Sequence, residues 1–165
     1  MSFFVLKRKD QLIKMKYILP FIFVICVGCP QKDDDRISCE DIIVSFTSLE
    51  AEYGCTNTQY QTEINLEDIF TVIRSQEVFD VLVSGSCTPN IDFNVYDLII
   101  GKQGLRNGNI SISYELIEDC ETNVLTLTVT FLQNVTFETP NLTYHVLTAK
   151  LADVEALEVE IIETN

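Results

Sequence analysis

Apolar and polar positions alternate with a period of two through much of the second half of the chain. In the segment 110–116, ISISYEL, every second residue is apolar, and the segment 125–131, LTLTVTF, repeats the pattern with threonine at the polar positions. Such alternation places one face on a core and the other in water, and β-branched residues suit strands. Because the connection 118–123, EDCETN, is short and polar, the two segments are predicted to form an antiparallel hairpin.

Further strands are predicted on both sides of this hairpin. The segment 95–101, VYDLIIG, has few polar positions and is predicted to be a more buried strand. Downstream, the segments 144–151 and 157–162 are predicted strands, and upstream the segments 60–64 and 69–73 are predicted to extend the same sheet.

One helix is predicted, beginning after Ser75. Serine is a favourable N-cap, Glu77 lies in the first turn where the helix dipole favours an acid, and Gly85 ends the helix. A helix this short must pack on the sheet to persist. The predicted class is therefore α+β, a single domain over residues 40–165 with a mostly antiparallel sheet and one short packed helix. The predicted apolar face of the helix comprises Val78, Phe79 and Leu82.

The beginning of the chain has the pattern of an export segment. The run 17–28, YILPFIFVICVG, is apolar and follows five basic residues, but it is shorter than the roughly twenty residues that cross a bilayer as a helix. Residues 1–28 are therefore predicted to be a cleaved signal peptide, with Met1 or Met15 as its start.

The end of that run resembles the lipobox of bacterial lipoproteins. Small residues, Val27 and Gly28, precede Cys29, with Cys26 where the pattern usually has leucine. The resemblance implies that Cys29 is acylated, becomes the mature N-terminus and anchors the protein in the outer membrane. The alternative is a plain cleaved signal, with Cys29 left for a disulfide.

The next residues, Gln31, Lys32, Asp33, Asp34 and Asp35, resemble the surface-export tag of lipoproteins from bacteria of the Bacteroidetes group. The resemblance implies exposure at the cell surface. The alternative is a solvated acidic linker. Residues 29–39 are therefore predicted to be a lipidated cysteine followed by an acidic linker.

The net charge limits the possible functions further. Residues 29–165 carry 6 basic and 24 acidic side chains, a formal charge of −18, which excludes nucleic-acid binding because few cations face the phosphates. A cationic partner or a merely soluble, self-repelling surface both fit that charge.

Four cysteines remain after Cys26 and Cys29, and they allow three connectivities. Because Cys55 and Cys87 both lie in turn-like settings, we pair them, which leaves Cys39 with Cys120.

The chain shows no recognisable catalytic motif, cofactor motif or metal-ligand spacing. His145 is the single histidine and is interpreted as an ordinary strand residue. The sequence around Lys102 lacks both the earlier glycine and the following Ser or Thr of a phosphate loop. The cysteine spacings do not suit zinc. We therefore expect no enzymatic activity, no cofactor and no metal.

From about residue 68 to residue 151 the order of features resembles the PrcB-like domain, found in the lipoprotein subunit of a spirochaete surface protease complex. The features are the 69–73 strand with its capped helix, the strand at Val95, a glycine-containing turn, paired strands and the late segment PNLTYHV. The resemblance implies a protease partner. Where that family usually has Thr-Gly-Gly-Tyr, this chain has Arg106, Asn107, Gly108 and Asn109.

The glycine-rich segment 101–109 is the predicted partner loop. Leu105 and Arg106 are expected to project from it at the end of the sheet, and Asn107, Gly108 and Asn109 complete it. The alternative is a hairpin turn at Asn107 and Gly108 without further function. The expected function is that of a monomeric surface lipoprotein that binds a protein, and the alternative is a structural envelope lipoprotein with no dedicated ligand.

Overall fold

The computed structural model describes residues 39–66, 69–151 and 156–165. The predicted signal peptide, Cys29 and the Gln31–Asp35 tag lie outside the described residues. The elements are β1 (Ile42–Ile43), β2 (Phe46–Thr47), α1 (Leu49–Tyr53), α2 (Thr58–Gln61), β3 (Thr62–Ile64), β4 (Phe70–Ile73), α3 (Gln76–Leu82), β5 (Val83–Gly85), β6 (Tyr96–Gly104), β7 (Asn109–Glu118), β8 (Val124–Gln133), β9 (Asn141–Ala149) and β10 (Ala156–Thr164).

The strands form two four-stranded sheets rather than the single sheet that the sequence predicted. The first sheet has the order β1-β7-β8-β10 and the second has the order β2-β9-β6-β4, while β3 and β5 form a separate pair. Every pairing is antiparallel except that of β10 with β8, which is parallel. The predicted class, a mostly antiparallel α+β domain, is confirmed.

The second sheet is buried on both faces, which explains its continuous apolar strands. Along β6, Ile99 faces the first sheet, whereas Leu98 and Ile100 face the helices. Strands covered on both sides lose the polar alternation of half-exposed strands. The layers are therefore sheet, sheet and helices. The core between the two sheets, called here the sandwich core, comprises Ile99, Leu105, Leu116, Leu125, Leu127, Val129, Phe131, Leu142, Tyr144 and Val146.

The predicted hairpin is present as β7 and β8. Leu116 lies opposite Leu127, and both are fully buried in the sandwich core. The Asp119 side chain organises the connecting turn by accepting hydrogen bonds from the backbone of Glu121 and Thr122. Alternation in the sequence therefore identified the strands, and the short polar connection identified their pairing.

The predicted helix is α3, and its cap is as expected. Ser75 Oγ accepts a hydrogen bond from the Val78 backbone N–H at 3.3 Å, and Phe79 is fully buried. Val78 was predicted to share the buried face, but it is 43% exposed. The helix ends at Leu82 because Val83 begins a strand, two residues before Gly85.

Two further short helices, α1 and α2, were not predicted. The α1 helix begins after Ser48, whose side chain accepts from Ala51 N–H at 3.2 Å, and it ends at Gly54 in the left-handed conformation. The predicted 60–64 strand was partly wrong, since Gln61 ends α2 and the strand starts at Thr62.

Gly101 permits a close contact within the second sheet. It lies opposite Tyr144, and a Cβ at this position would stand 2.2 Å from the Tyr144 hydroxyl oxygen. The tyrosine ring therefore packs over the glycine, and its hydroxyl donates to the Ile69 carbonyl at 3.4 Å. Burial raises the pKa of Tyr144 to about 12.

Asp97 is a buried carboxylate that joins three parts of the fold. It accepts hydrogen bonds from Arg74 Nε at 3.3 Å, from the Leu151 backbone N–H at 3.0 Å and from Lys150 Nζ. Burial would raise the pKa of Asp97, but these donors outweigh it and hold the pKa below its ordinary value of 3.8.

The two disulfides confirm the predicted pairing. Cys55 is bonded to Cys87, and Cys39 is bonded to Cys120 in the turn between β7 and β8. The described N-terminal segment is therefore attached to that turn through its first residue, Cys39. It then covers the ends of two strands, since β1 pairs with the last residues of β7 and β2 pairs with the end of β9.

Candidate functional site

The predicted partner loop is shorter than the sequence suggested. The β6 strand continues to Gly104 and β7 begins at Asn109, so the turn contains four residues, 105–108. Leu105 does not project: it is 3% exposed and belongs to the sandwich core, and its backbone N–H donates to the Pro140 carbonyl at 2.9 Å. The prediction for Leu105 is wrong, whereas Arg106 is exposed as expected.

This turn is hydrogen-bonded to the loop between β8 and β9. Gly108 N–H donates to the Thr136 carbonyl at 3.3 Å, and Asn134 N–H donates to the Gly108 carbonyl at 2.8 Å. The Asn107 amide donates to Gln133 Oε1 at 3.0 Å. The two loops therefore form one surface, called here the tip, which consists of residues 105–108 and 134–140.

Gly108 is required for this close approach. It is buried, and a Cβ there would stand 2.3 Å from Thr136 Oγ1 and 2.6 Å from Asn134 Oδ1. Contacts that close do not occur without movement of the neighbouring atoms. The glycine predicted as a turn residue thus serves to join two loops.

Two large apolar side chains project from the tip into solvent. Val135 is 92% exposed and Phe137 is 97% exposed, and Ile110, at the start of β7, is 60% exposed. Neither Val135 nor Phe137 was predicted to belong to a binding site. The sequence did contain an indication of their exposure. The segment NVTFETP places Val135 and Phe137 outside any predicted strand, where the predicted core does not cover them.

The tip lies at the opposite end of the first sheet from Cys39. The β7 strand leads from the tip at Asn109 to Glu118, and Cys120 follows in the turn that is bonded to Cys39. Ten strand residues span about 33 Å. The described N-terminal end and the tip are therefore separated by the length of the sheet.

A second candidate site is a cavity of about 310 Å³ beside β9, called here the side pocket. His145 lies in its wall and is 3% exposed. Its Nε2 atom lies 3.2 Å from the Leu49 backbone nitrogen and 3.2 Å from Glu50 Oε2. Its lining includes Ser48, Glu50, Thr58, Ile112, Tyr114 and His145.

His145 is held by the backbone of α1. Nε2 lies within hydrogen-bond distance of both the Leu49 N–H, which donates to it, and the Glu50 carboxylate, which can only accept, so a neutral imidazole satisfies one of these two contacts at a time. Within the described part of the chain, Nδ1 has no hydrogen-bond partner. An imidazole whose Nε2 is engaged by these two groups is poorly placed to act as a general base.

Glu50 is the acidic group of the side pocket. Burial alone would raise the pKa of this carboxyl, but hydrogen bonding to His145 and to Thr58 outweighs it, so the pKa lies below its ordinary value. The carboxylate therefore stays ionised at neutral pH. Its side chain is 37% exposed and so remains accessible to a ligand.

Tyr114 reaches from the first sheet to the second beside this pocket. Its hydroxyl oxygen accepts a hydrogen bond from the His145 backbone N–H at 3.4 Å, which satisfies an edge donor of β9. Burial raises the pKa of Tyr114 above its ordinary value. The phenol is consequently a neutral polar group at physiological pH.

The described residues contain neither a cluster of metal-ligating side chains nor a helix that could cross a membrane. In residues 39–66, 69–151 and 156–165, no group of three or more His, Cys, Asp or Glu side chains converges as metal ligands would. The helices described there are too short and too polar to span a bilayer. The predicted lipidation site and export tag lie outside the described residues.

The protein was compared with family models, curated proteins and solved structures, and none of the three comparisons found a match. The resemblances to the lipobox, to the surface-export tag and to the PrcB-like domain therefore stay predictions.

Proposed function

We propose that this protein is a non-enzymatic, surface-exposed lipoprotein, anchored through Cys29, that binds a protein partner through its tip. The observation that carries the proposal is the nearly complete exposure of Val135 and Phe137 on a loop fixed by backbone hydrogen bonds. Exposed apolar side chains on an anchored loop are typical of protein-binding surfaces.

The energetics favour recognition by burial at the tip. Full burial of a Val or Phe side chain contributes about 1.5 to 3 kcal/mol each. Because the neighbouring loop holds the apolar residues in place, little further ordering of the backbone opposes binding. Arg106 adds a cation to a strongly acidic protein, so a partner with an acidic group near an apolar cleft would complement the tip.

The position of the tip also supports a role away from the membrane. If Cys29 carries the lipid, the tether joins the described domain at Cys39, about 33 Å of strand from the tip. An anchored protein with this arrangement would present its tip to the surroundings. A surface protease is the partner class that the PrcB-like resemblance suggests.

The test is cross-linking on intact cells followed by mass spectrometry of the attached proteins. The full chain is compared with a variant carrying Val135→Ser and Phe137→Ser. Both side chains are exposed, so stability should change by less than about 0.5 kcal/mol per substitution. The matched control is Ile43→Ser, which removes an apolar side chain that is 77% exposed at the other end of β7.

We expect one partner in near-equal amount with the unchanged chain and with the Ile43→Ser control, and at least tenfold less with the tip variant. Equal recovery with all three proteins would remove the tip as the binding surface. Recovery of abundant envelope proteins alone would favour the second candidate, a structural lipoprotein without a dedicated ligand.

The anchor is tested separately, so that the two parts of the proposal can fail independently. Cys29→Ser should move the protein from the membrane fraction to the soluble fraction without altering partner binding by the tip. Unchanged fractionation would argue against lipidation at Cys29, and protection of the chain from added protease on intact cells would argue against the export tag.

A further inference from the structure

The β7 strand has an open edge along its middle. On one side it pairs with β8 over most of its length, but on the other side β1 pairs with Ile117 and Glu118 alone. Among the described residues, the backbone of Ile112 and Tyr114 has no hydrogen-bonded strand on that side. An open strand edge offers a row of backbone donors and acceptors to another chain.

The direction of the free backbone groups follows from one hydrogen bond. The Leu116 carbonyl points away from β8, because it accepts the Val44 N–H at 2.8 Å on the side of β1. In an antiparallel strand, residues two apart direct their N–H and C=O groups to the same side. The N–H and C=O groups of Tyr114 and Ile112 therefore point to the open edge.

These two residues also form a wall of the side pocket. Residues directly opposite each other in a sheet place their side chains on the same face. An added strand that paired with Tyr114 would consequently direct the opposite side chain to the face where the pocket lies. The pocket of about 310 Å³ is large enough to receive a long side chain.

The chemistry of the pocket selects that side chain by charge. Glu50 is the one carboxylate in its lining, and no Lys or Arg of the described chain lines it. The remaining polar groups are hydroxyls and amides, including those of Ser48, Asn57 and Gln59, which can accept further hydrogen bonds from a cation. The net charge of −18 over residues 29–165 favours a basic ligand as well.

We propose that the open edge of β7 binds an extended segment of a partner protein as an added strand, and that a Lys or Arg side chain of this segment enters the side pocket beside Glu50. Backbone pairing with Ile112 and Tyr114 provides the general affinity. The pocket provides the selection for a cation. This inference does not depend on the tip or on lipidation.

The test begins with a random heptapeptide library displayed on phage. The library is selected against the full chain, purified in detergent with its export segment. Affinities of the enriched peptides are then measured by calorimetry, and exchange of the Tyr114 amide hydrogen is followed by NMR. A library is used because it samples every position of a basic residue in the added strand.

Two variants test the two contacts, and two further variants serve as controls. Glu50→Gln removes the charge in the pocket, and Glu115→Gln is its matched control, because Glu115 is an exposed acid of β7 that lies outside the pocket lining. Ile112→Pro removes an edge N–H that does not pair with β8, a position at which an edge strand tolerates proline. The tip variant Phe137→Ser serves as the control for the other surface.

We expect enriched peptides to carry Lys or Arg at one fixed position. Binding should weaken about tenfold or more with Glu50→Gln, should be lost with Ile112→Pro, and should be unchanged with Glu115→Gln and Phe137→Ser. Should Ile112→Pro fail to fold, slower exchange of the Tyr114 amide in the unchanged protein with bound peptide provides the evidence for strand addition.

Three results would overturn the proposal. The first is a selection that yields no binding peptide or no fixed basic position. The second is an equal effect of Glu50→Gln and Glu115→Gln on affinity. The third is a bound peptide that leaves exchange at Tyr114 unaltered.

Discussion

Removal of the Cys39–Cys120 disulfide should destabilise the protein less than its loop length suggests. The bridge joins residues separated by 81 positions, and the Cys55–Cys87 bridge, which spans 32, lies inside that loop. With the inner bridge intact, the outer bridge closes a loop of about 49 residues. Loop-closure entropy then gives about 4 kcal/mol for the outer bridge and about 3.7 kcal/mol for the inner one.

In the folded state we expect the opposite order, so that loss of the outer bridge destabilises the protein less than loss of the inner one. The segment that begins at Cys39 contacts β7 through Ile42 and Ile43, which are 56% and 77% exposed, and through the Val44 N–H, which donates to the Leu116 carbonyl at 2.8 Å. Once the outer bridge is absent, this segment can detach from β7 at little cost in buried surface, and the entropy that it gains stabilises the folded variant. We therefore expect a loss of about 1 to 2 kcal/mol rather than about 4 kcal/mol.

Loss of the inner bridge cannot be offset by detachment of a segment. Cys55 is 5% exposed and packs in the core beneath the helices, so its removal leaves a void as well as a longer free loop. We expect a loss of about 4 kcal/mol or more for Cys55→Ala with Cys87→Ala.

The assay is urea unfolding of the two double alanine variants under oxidising conditions, followed by circular dichroism. Hydrogen exchange of the Ile42 and Val44 amides, which face β7, should become fast in the outer variant alone. A larger loss of stability for the outer variant than for the inner one would refute the reasoning, as would continued protection of the Val44 amide without the outer bridge.

Three further predictions follow from single contacts. Gly101→Ala forces a methyl group against the Tyr144 ring and should cost about 1 to 3 kcal/mol in urea unfolding, and a change below about 0.5 kcal/mol would contradict the overlap. Asp97 has a lowered pKa when folded, so its contribution to stability is present above the ordinary pKa of 3.8 and is lost as the pH falls below that value. Unfolding measured between about pH 6 and pH 3 should therefore show a flatter profile for Asp97→Asn than for the unchanged protein, and parallel profiles would count against the contribution. Gly108→Ala should separate the two tip loops and weaken partner capture more than it lowers stability, and unchanged capture would show that the pairing of the loops is dispensable.

The sequence predicted the elements whose pattern is local. It did not predict the features that depend on contacts between distant parts of the chain. Alternation in the segments 110–116 and 125–131 was sufficient to identify β7 and β8, because each strand has one wet and one dry face. Alternation reports faces but not neighbours, so the parallel pairing of β10 with β8 was not foreseen. The helices α1 and α2 contain five and four residues, too few for a periodic signal.

The candidate site was predicted only in part, again because it depends on contacts between distant parts of the chain. The glycines around Leu105 indicated a turn, but β6 keeps pairing with β9 as far as Gly104, opposite Asn141, and this pairing carries Leu105 into the core. Phe137 was missed because the chain separates it from Arg106 by a complete hairpin. Contact between the two loops arises from the sheet, which no local pattern encodes.

One strand relates all of the proposed features to each other. The β7 strand starts at the tip, passes the side pocket at Ile112 and Tyr114, and ends next to the turn that is bonded to Cys39. Tyr114 lies five positions after Asn109, a distance of about 17 Å along the strand. A partner that covers Phe137 and carries a basic extended segment within that distance would engage both surfaces. The second contact would then form within the complex at a high effective concentration, so two weak sites together would give a tight one.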